Sequence, residues 1–150
     1  MAENERTVVT AERVVRAPAE VIFELIADPA RQPEWDGNDN LAQAEPGQRV
    51  RAVGEVFTVT LTKGTPRPNR VVAFEEGRVI AWRPAPTGEP EPGHEWRWEL
   101  QPTADGTLVR HVYDWTHLTD AKRFERARST TSENLAASIE RLAALAEAQA

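Results

Sequence analysis

His111 and Tyr113 stand two residues apart in a run, 107–117, that alternates in polarity. On a strand that spacing puts both side chains on one face. An imidazole beside a phenol can position and protonate a carbonyl, or accept a proton during enolisation. The same two residues also read as a hydrogen-bonded core histidine next to a core tyrosine. Asp114 has the opposite parity and falls outside the pair. The rest of the chain carries no recognised catalytic signature. It has no cysteine, hence no thiolate nucleophile, no disulfide and no thiolate metal site. It also lacks a G-x-S-x-G turn and a phosphate-binding glycine loop. His94, His111 and His117 are not spaced to converge on one ion, so no metal is expected. The loop Asp36-Gly37-Asn38-Asp39-Asn40 faintly suggests calcium. Leu41 and Gly47, however, occupy the positions where a calcium loop needs a glycine and an acid. No cofactor is expected.

Around His111 and Tyr113 the residue types become unusually aromatic. Val109 and Trp115 share their face by parity. In the preceding run Trp96 and Trp98 alternate with Glu95, Arg97 and Glu99, with His94 and Leu100 on the tryptophan side. Ile80 and Trp82 extend this face, and Phe57, Val59 and Leu61 continue it. Such a surface is either a packed core or the wall of a ligand site. Arg83, Arg97 and Arg128 could meet a ligand carboxylate. Parity turns Arg83 and Arg97 outward, towards ordinary surface pairing.

The elements that position these residues follow from pattern. A Val- and Thr-rich strand spans 7–16, and Ala17-Pro18 ends it. Val21, Ile22, Leu25 and Ile26 form a helical stripe. Asp28-Pro29 closes that helix and opens a second, which Pro33 keeps short. Strands are then expected near 41–45, 50–62, 69–76, 78–84, 93–102 and 107–117, with Asp105-Gly106 as a hairpin turn. Residues 119–149 return to helical period through Phe124, Ala127, Thr131, Leu135, Ile139 and Leu142, predicting one helix of roughly 45 Å. Its second half is greasy. Its first half offers only Phe124 as a large apolar residue among small ones, so open space is expected towards Phe124, Ala127 and Thr131.

The result is an α+β helix-grip fold: a curved antiparallel sheet of about six to seven strands around a long C-terminal helix, with two short helices after the first strand. At 150 residues it is one domain, with residues 1–6 frayed. A net charge of −6 argues against nucleic acid and anionic membranes as partners. The polar start, Met1 to Arg6, does not resemble a signal peptide, and no stretch is apolar enough for a bilayer. A cytoplasmic protein is expected, its oligomeric state open.

The stretch VVRAPAEVIFELIADPARQPEWDG, residues 14–37, resembles the opening of the SRPBCC proteins, the superfamily of START lipid-transfer domains and the birch-pollen allergen. DGTLVRHVYDWTHL, residues 105–118, is similar to that group's last strand. The likeness runs over essentially the whole chain in element order and lies nearest the polyketide cyclase/dehydrase branch. It implies a pocket between sheet and long helix, with Trp35 at its mouth or packed under it.

Three readings result. The first is binding of a small apolar or aromatic molecule (lipid, quinone or polyketide-like), with Trp35, Phe57, Trp82, Trp96, Trp98 and Trp115 as contacts on one side. His111, Tyr113, Phe124, Ala127 and Thr131 complete that set. The second is an aromatase/cyclase-type enzyme using His111 and Tyr113. The third is an interaction protein similar to the chaperone-stimulating branch, with the pocket largely closed.

Overall fold

The computed structural model describes residues 6–37 and 41–149. Most of the expected frayed start and the Asn38-Asp39-Asn40 part of the loop lie outside the described residues. Seven strands form one antiparallel sheet: β1 (Val8–Val15), β2 (Leu41–Gln43), β3 (Val56–Leu61), β4 (Pro66–Glu75), β5 (Val79–Pro84), β6 (Glu95–Thr103) and β7 (Gly106–Asp114). Their spatial order is β1-β7-β6-β5-β4-β3-β2, so every neighbour but β1 is a hairpin or meander partner. Register slips between Val71 and Ala73, and at Leu41–Gln43, help the sheet bend.

Helix α1 (Ala19–Ala27) buries Ile22, Phe23, Leu25 and Ile26 against the sheet. Asp28 caps the next 3-10 turn, its Oδ1 accepting from the Ala30 N–H at 3.2 Å. Pro33 does not cut the second helix, as expected, but lies in the first turn of α2 (Gln32–Trp35), where no intrahelical N–H is needed. Two of the last carbonyls of α1 are satisfied by α2, and that of Ala27 accepts from the Val50 N–H at 2.9 Å. The Trp35 indole N–H donates to the Leu25 carbonyl at 2.8 Å, and the Gln32 amide donates to that of Ile26 at 3.1 Å.

Three boundaries differ from the sequence reading. The expected strand 50–62 starts only at Val56, because Gly54 adopts a φ of 95° in a turn. The expected strand 69–76 starts earlier, at Pro66. Its first residues pair with β3 beyond the end of β5, so Pro66 and Pro68 need no ladder donor on that side. β7 stops at Asp114, leaving Trp115 just past it.

The single C-terminal helix is broken. A 3-10 turn (Ala121–Arg123) leads into α3 (Phe124–Ser129), and α4 follows (Ser132–Gln149). Thr130, at ψ 111°, leaves helical geometry. Thr131 then caps α4 reciprocally with Asn134. The Thr131 N–H donates to Asn134 Oδ1 at 2.8 Å, and the Asn134 N–H to Thr131 Oγ1 at 3.3 Å. At 18 residues α4 is about 27 Å long. It buries Leu135, Ser138, Ile139, Leu142, Ala143 and Ala146, packing on β1, β7, α1 and α2. Among the described residues no helix is long and apolar enough to cross a membrane.

Candidate functional site

Antiparallel pairing of β6 with β7 sets Trp96 opposite Tyr113 and Trp98 opposite His111 on the concave face. The rings interleave. Trp98 and His111 stack at 3.7 Å between centroids, Trp96 lies 5.6 Å from His111, and Trp96 and Tyr113 meet at 4.4 Å. His94 ends this ladder edge-on to Tyr113, and Trp35 comes edge-on to Trp98 at 5.2 Å from the helical side. The outward face carries Arg83 on Glu95 and Arg97 on Glu99, in surface ion pairs.

Between this wall, α2, α3 and the first turns of α4 lies a cavity of about 480 Å³. That is within the range of sites for small organic ligands. Trp35, Trp82, Trp96, Trp98, His111 and Tyr113 line it. The other five expected contacts lie elsewhere. Phe57 sits behind Trp82, edge-on at 5.3 Å. Trp115, Phe124 and Ala127 pack with Leu118 and Leu135 into a second small core. Thr131 is exposed and spends its hydroxyl on the α4 cap. The helix break is the reason. It frees α3 to turn Phe124 and Ala127 towards Trp115, and a polar stripe towards the cavity: Arg123, Arg126, Ser129 and Thr130. Arg128 instead lies over the Trp115 and Phe124 rings, at 6.0 and 5.7 Å.

His111 is held neutral. Burial drives its pKa down to about 3, even though the Arg97 carbonyl, 3.1 Å from Nδ1, opposes the shift. A carbonyl only accepts, so Nδ1 carries the proton and Nε2 is left as an acceptor. Burial likewise holds the Tyr113 phenol protonated, above its ordinary pKa. Trp98, wholly buried, has an indole N–H with no acceptor among the described residues. The cavity wall thus combines aromatic surface with a hydrogen-bond acceptor and unused donors.

Polar residues not singled out from sequence complete the lining. Gln32, Asn69 and Ser138 are buried around it. Arg67 on β4, with Arg123 and Arg126, stands at its α3 side, and Lys63 and Arg126 are exposed there. Arg67 Nε is buried without a hydrogen-bond partner. Desolvation first, then the like charges of Arg123 and Arg126, hold the Arg67 pKa below its ordinary value, against an opposing pull from Glu89. Burial, followed by the charges of Arg123, Arg67 and Arg126, pushes His94 down to about 4. A signal for part of this was present: Arg123, Arg126, Thr130 and Asn134 recur at helical spacing.

Residues 6–147 match the family described as polyketide cyclase / dehydrase and lipid transport. The chain is similar to the uncharacterised protein Rv0088 of Mycobacterium tuberculosis, 32% identical over 107 residues. That match takes in 67% of this chain but only 44% of the relative's length. Among solved structures, protein MLL2253 of Mesorhizobium loti superposes with a TM-score of 0.71 at 20% identity, covering 95% of this chain and 98% of that one. The major latex-like protein 151 of Panax ginseng gives a TM-score of 0.60 at 13% identity, covering 93% and 96%.

Proposed function

The chain belongs to the polyketide cyclase/dehydrase and lipid transport family of the SRPBCC superfamily, and on that premise we propose that it binds a small aromatic or apolar molecule between its sheet and C-terminal helices. The observation that carries this reading is the cavity of about 480 Å³ beside the Trp82–Trp96–Trp98 wall. Flat rings on that wall suit a planar ligand, which aromatic stacking stabilises beyond area burial alone.

His111 and Tyr113 fit this role as neutral hydrogen-bonding groups. A histidine with a pKa near 3 is a weak base at neutral pH, and a phenol held protonated is a weak acid. A second reading, aromatase/cyclase-type turnover, rests on His111 and Tyr113 both lining the same cavity. It then works mainly by shaping a flexible chain, with proton transfer limited to groups of such poor driving force.

The test has two parts. Native mass spectrometry of protein purified from its own host should reveal a co-purified small molecule. Titration with 1-aminoanthracene, uncharged at neutral pH, should give saturable fluorescence at one site, with energy transfer from the tryptophans. Ser129→Trp, at the exposed rim, should block it. No saturable binding, together with empty native protein, overturns the proposal. His111→Phe separates the readings: a binder keeps its ligand, and an enzyme keeps binding but stops turning over.

A further inference from the structure

The lining carries a charge pattern opposite to that of the whole molecule. The chain has a net charge of −6, yet Lys63, Arg67, Arg123 and Arg126 line the cavity against one carboxylate among the described residues, Asp36. Asp36 is committed to the α2 end, where Oδ2 accepts from the Leu41 N–H at 3.1 Å. Arg123 is shared with Asp120 at 3.2 Å, a partly exposed pair of little energetic weight. Arg67 has no ion pair among the described residues, and its Nε is buried with no acceptor.

Leaving a buried charged donor unpaired is costly, and placing it beside two like charges adds to the cost. Surface arginines elsewhere in this chain avoid the problem: Arg49 takes Glu24 and Glu76, and Arg70 takes Glu91. A guanidinium with a buried, unpartnered Nε, on the lining of a cavity that Arg123 and Arg126 also line, is what an incoming anion relieves. Arginine's planar fork is suited to a carboxylate oxygen pair.

We infer that the ligand of this cavity is an amphipathic acid: an aromatic or apolar body against Trp82, Trp96 and Trp98, and a carboxylate or equivalent oxyanion held by Arg67, Arg123 and Arg126. The inference rests on the cavity being a ligand site, and narrows its occupant to an acid. The neutral His94 beside the arginines adds a hydrogen-bonding group without adding positive charge.

The experiment compares 1-pyrenebutanoate with its methyl ester, which share a body and differ in charge. Each is titrated fluorimetrically into wild type, Arg67→Gln, the double variant Arg123→Gln/Arg126→Gln, and the triple variant. Wild type should bind the acid about tenfold tighter than the ester or better, as expected of charge-assisted bonds in a partly buried site. The preference should shrink with added salt. It should collapse in Arg67→Gln and in the double variant, with the acid losing far more affinity than the ester. The double variant alters only side chains of the 3-10 turn and α3, so it tests the inference even if Arg67→Gln folds poorly. Equal binding of acid and ester by wild type overturns the inference but leaves the ligand site standing. So does an acid preference that survives in the triple variant. If acid, ester and 1-aminoanthracene all fail to bind, both fall together.

Discussion

The imidazole of His111 lies flat on the indole of Trp98, planes 14° from parallel and centroids 3.7 Å apart. Burial in that stack strips the imidazole of water, so the histidine titrates near 3 in the folded chain against 6.5 when free. The sign follows from proton counting. Between those values the unfolded state binds the proton and the native state does not, so stability falls as pH drops through this window. The contribution is fully present above the unfolded value. One pKa unit corresponds to about 1.36 kcal/mol, so by pH 4.5 the histidine alone should cost roughly 2–3 kcal/mol. Urea denaturation of wild type and His111→Phe between pH 7 and 4.5 reads this directly, since the variant should lack about half of the histidine slope, the rest coming from His94, which is pushed down to about 4. Parallel pH profiles for the two proteins would contradict the neutral, buried assignment.

Trp96 and Trp115 were expected to do the same work, and the structure separates them. Both touch the small core around Leu135, but Trp96 only packs against it and lines the cavity, whereas Trp115 is buried within it and does not line the cavity. Trp96→Ala should therefore weaken 1-aminoanthracene binding about tenfold, because the stacked wall loses its middle ring. Trp115→Ala should cost roughly 3–5 kcal/mol of stability and leave probe affinity nearly unchanged. Phe124→Leu, a gentler change in the same cluster, should follow Trp115 with a smaller loss. Chemical denaturation and probe titration on the same preparations check both halves.

How far the sequence could be read depended on the range of the interaction. Alternation along β6 and β7 is local and one-sided burial enforces it, so the inward faces of Trp96, Trp98, His111 and Tyr113 were legible. The break in the C-terminal helix was hidden under a continuous apolar period, although Ser129-Thr130-Thr131-Ser132 is a run of hydroxyls that compete for backbone bonds. The break turns Phe124 and Ala127 of α3 towards Trp115 and makes Thr131 the cap of α4. Arg67 was unreadable for another reason. Pro66 and Pro68 argue against a strand unless β5 is known to end opposite Asn69, and that register is a long-range fact.

The cap at Thr131 provides a third test, of the break itself. Its reciprocal bonds with Asn134 start α4 where the chain re-enters helical geometry. Thr131→Ala should lower stability by about 1 kcal/mol, the usual value of an N-cap. Thr131→Asp should largely restore it, since a carboxylate accepts the same N–H groups and suits the positive end of the helix dipole. If α3 and α4 were one continuous helix, alanine would stabilise this position. The sign of the Thr131→Ala change therefore decides between the two.

Gly37 tests how α4 is held over the cavity. Its N–H donates to Ser138 Oγ at 3.0 Å, and Arg141 donates to the neighbouring Asp36 carbonyl at 2.9 Å. A Cβ at Gly37 would meet the Ser138 nitrogen at 2.5 Å and the Ala137 carbonyl carbon at 2.6 Å. Both are helix backbone, so α4 itself must move. Gly88 provides the control, with a φ of 75° and open space around a Cβ. Gly88→Ala should cost about 1 kcal/mol through backbone conformation alone. Gly37→Ala should cost roughly 1–3 kcal/mol through overpacking, and it should also change probe affinity, because Ser138 lines the cavity. Two readouts separate the mechanisms: denaturation midpoints for both variants, and 1-aminoanthracene affinity. If Gly37→Ala matches Gly88→Ala in both, the close approach of this loop does not set the position of α4.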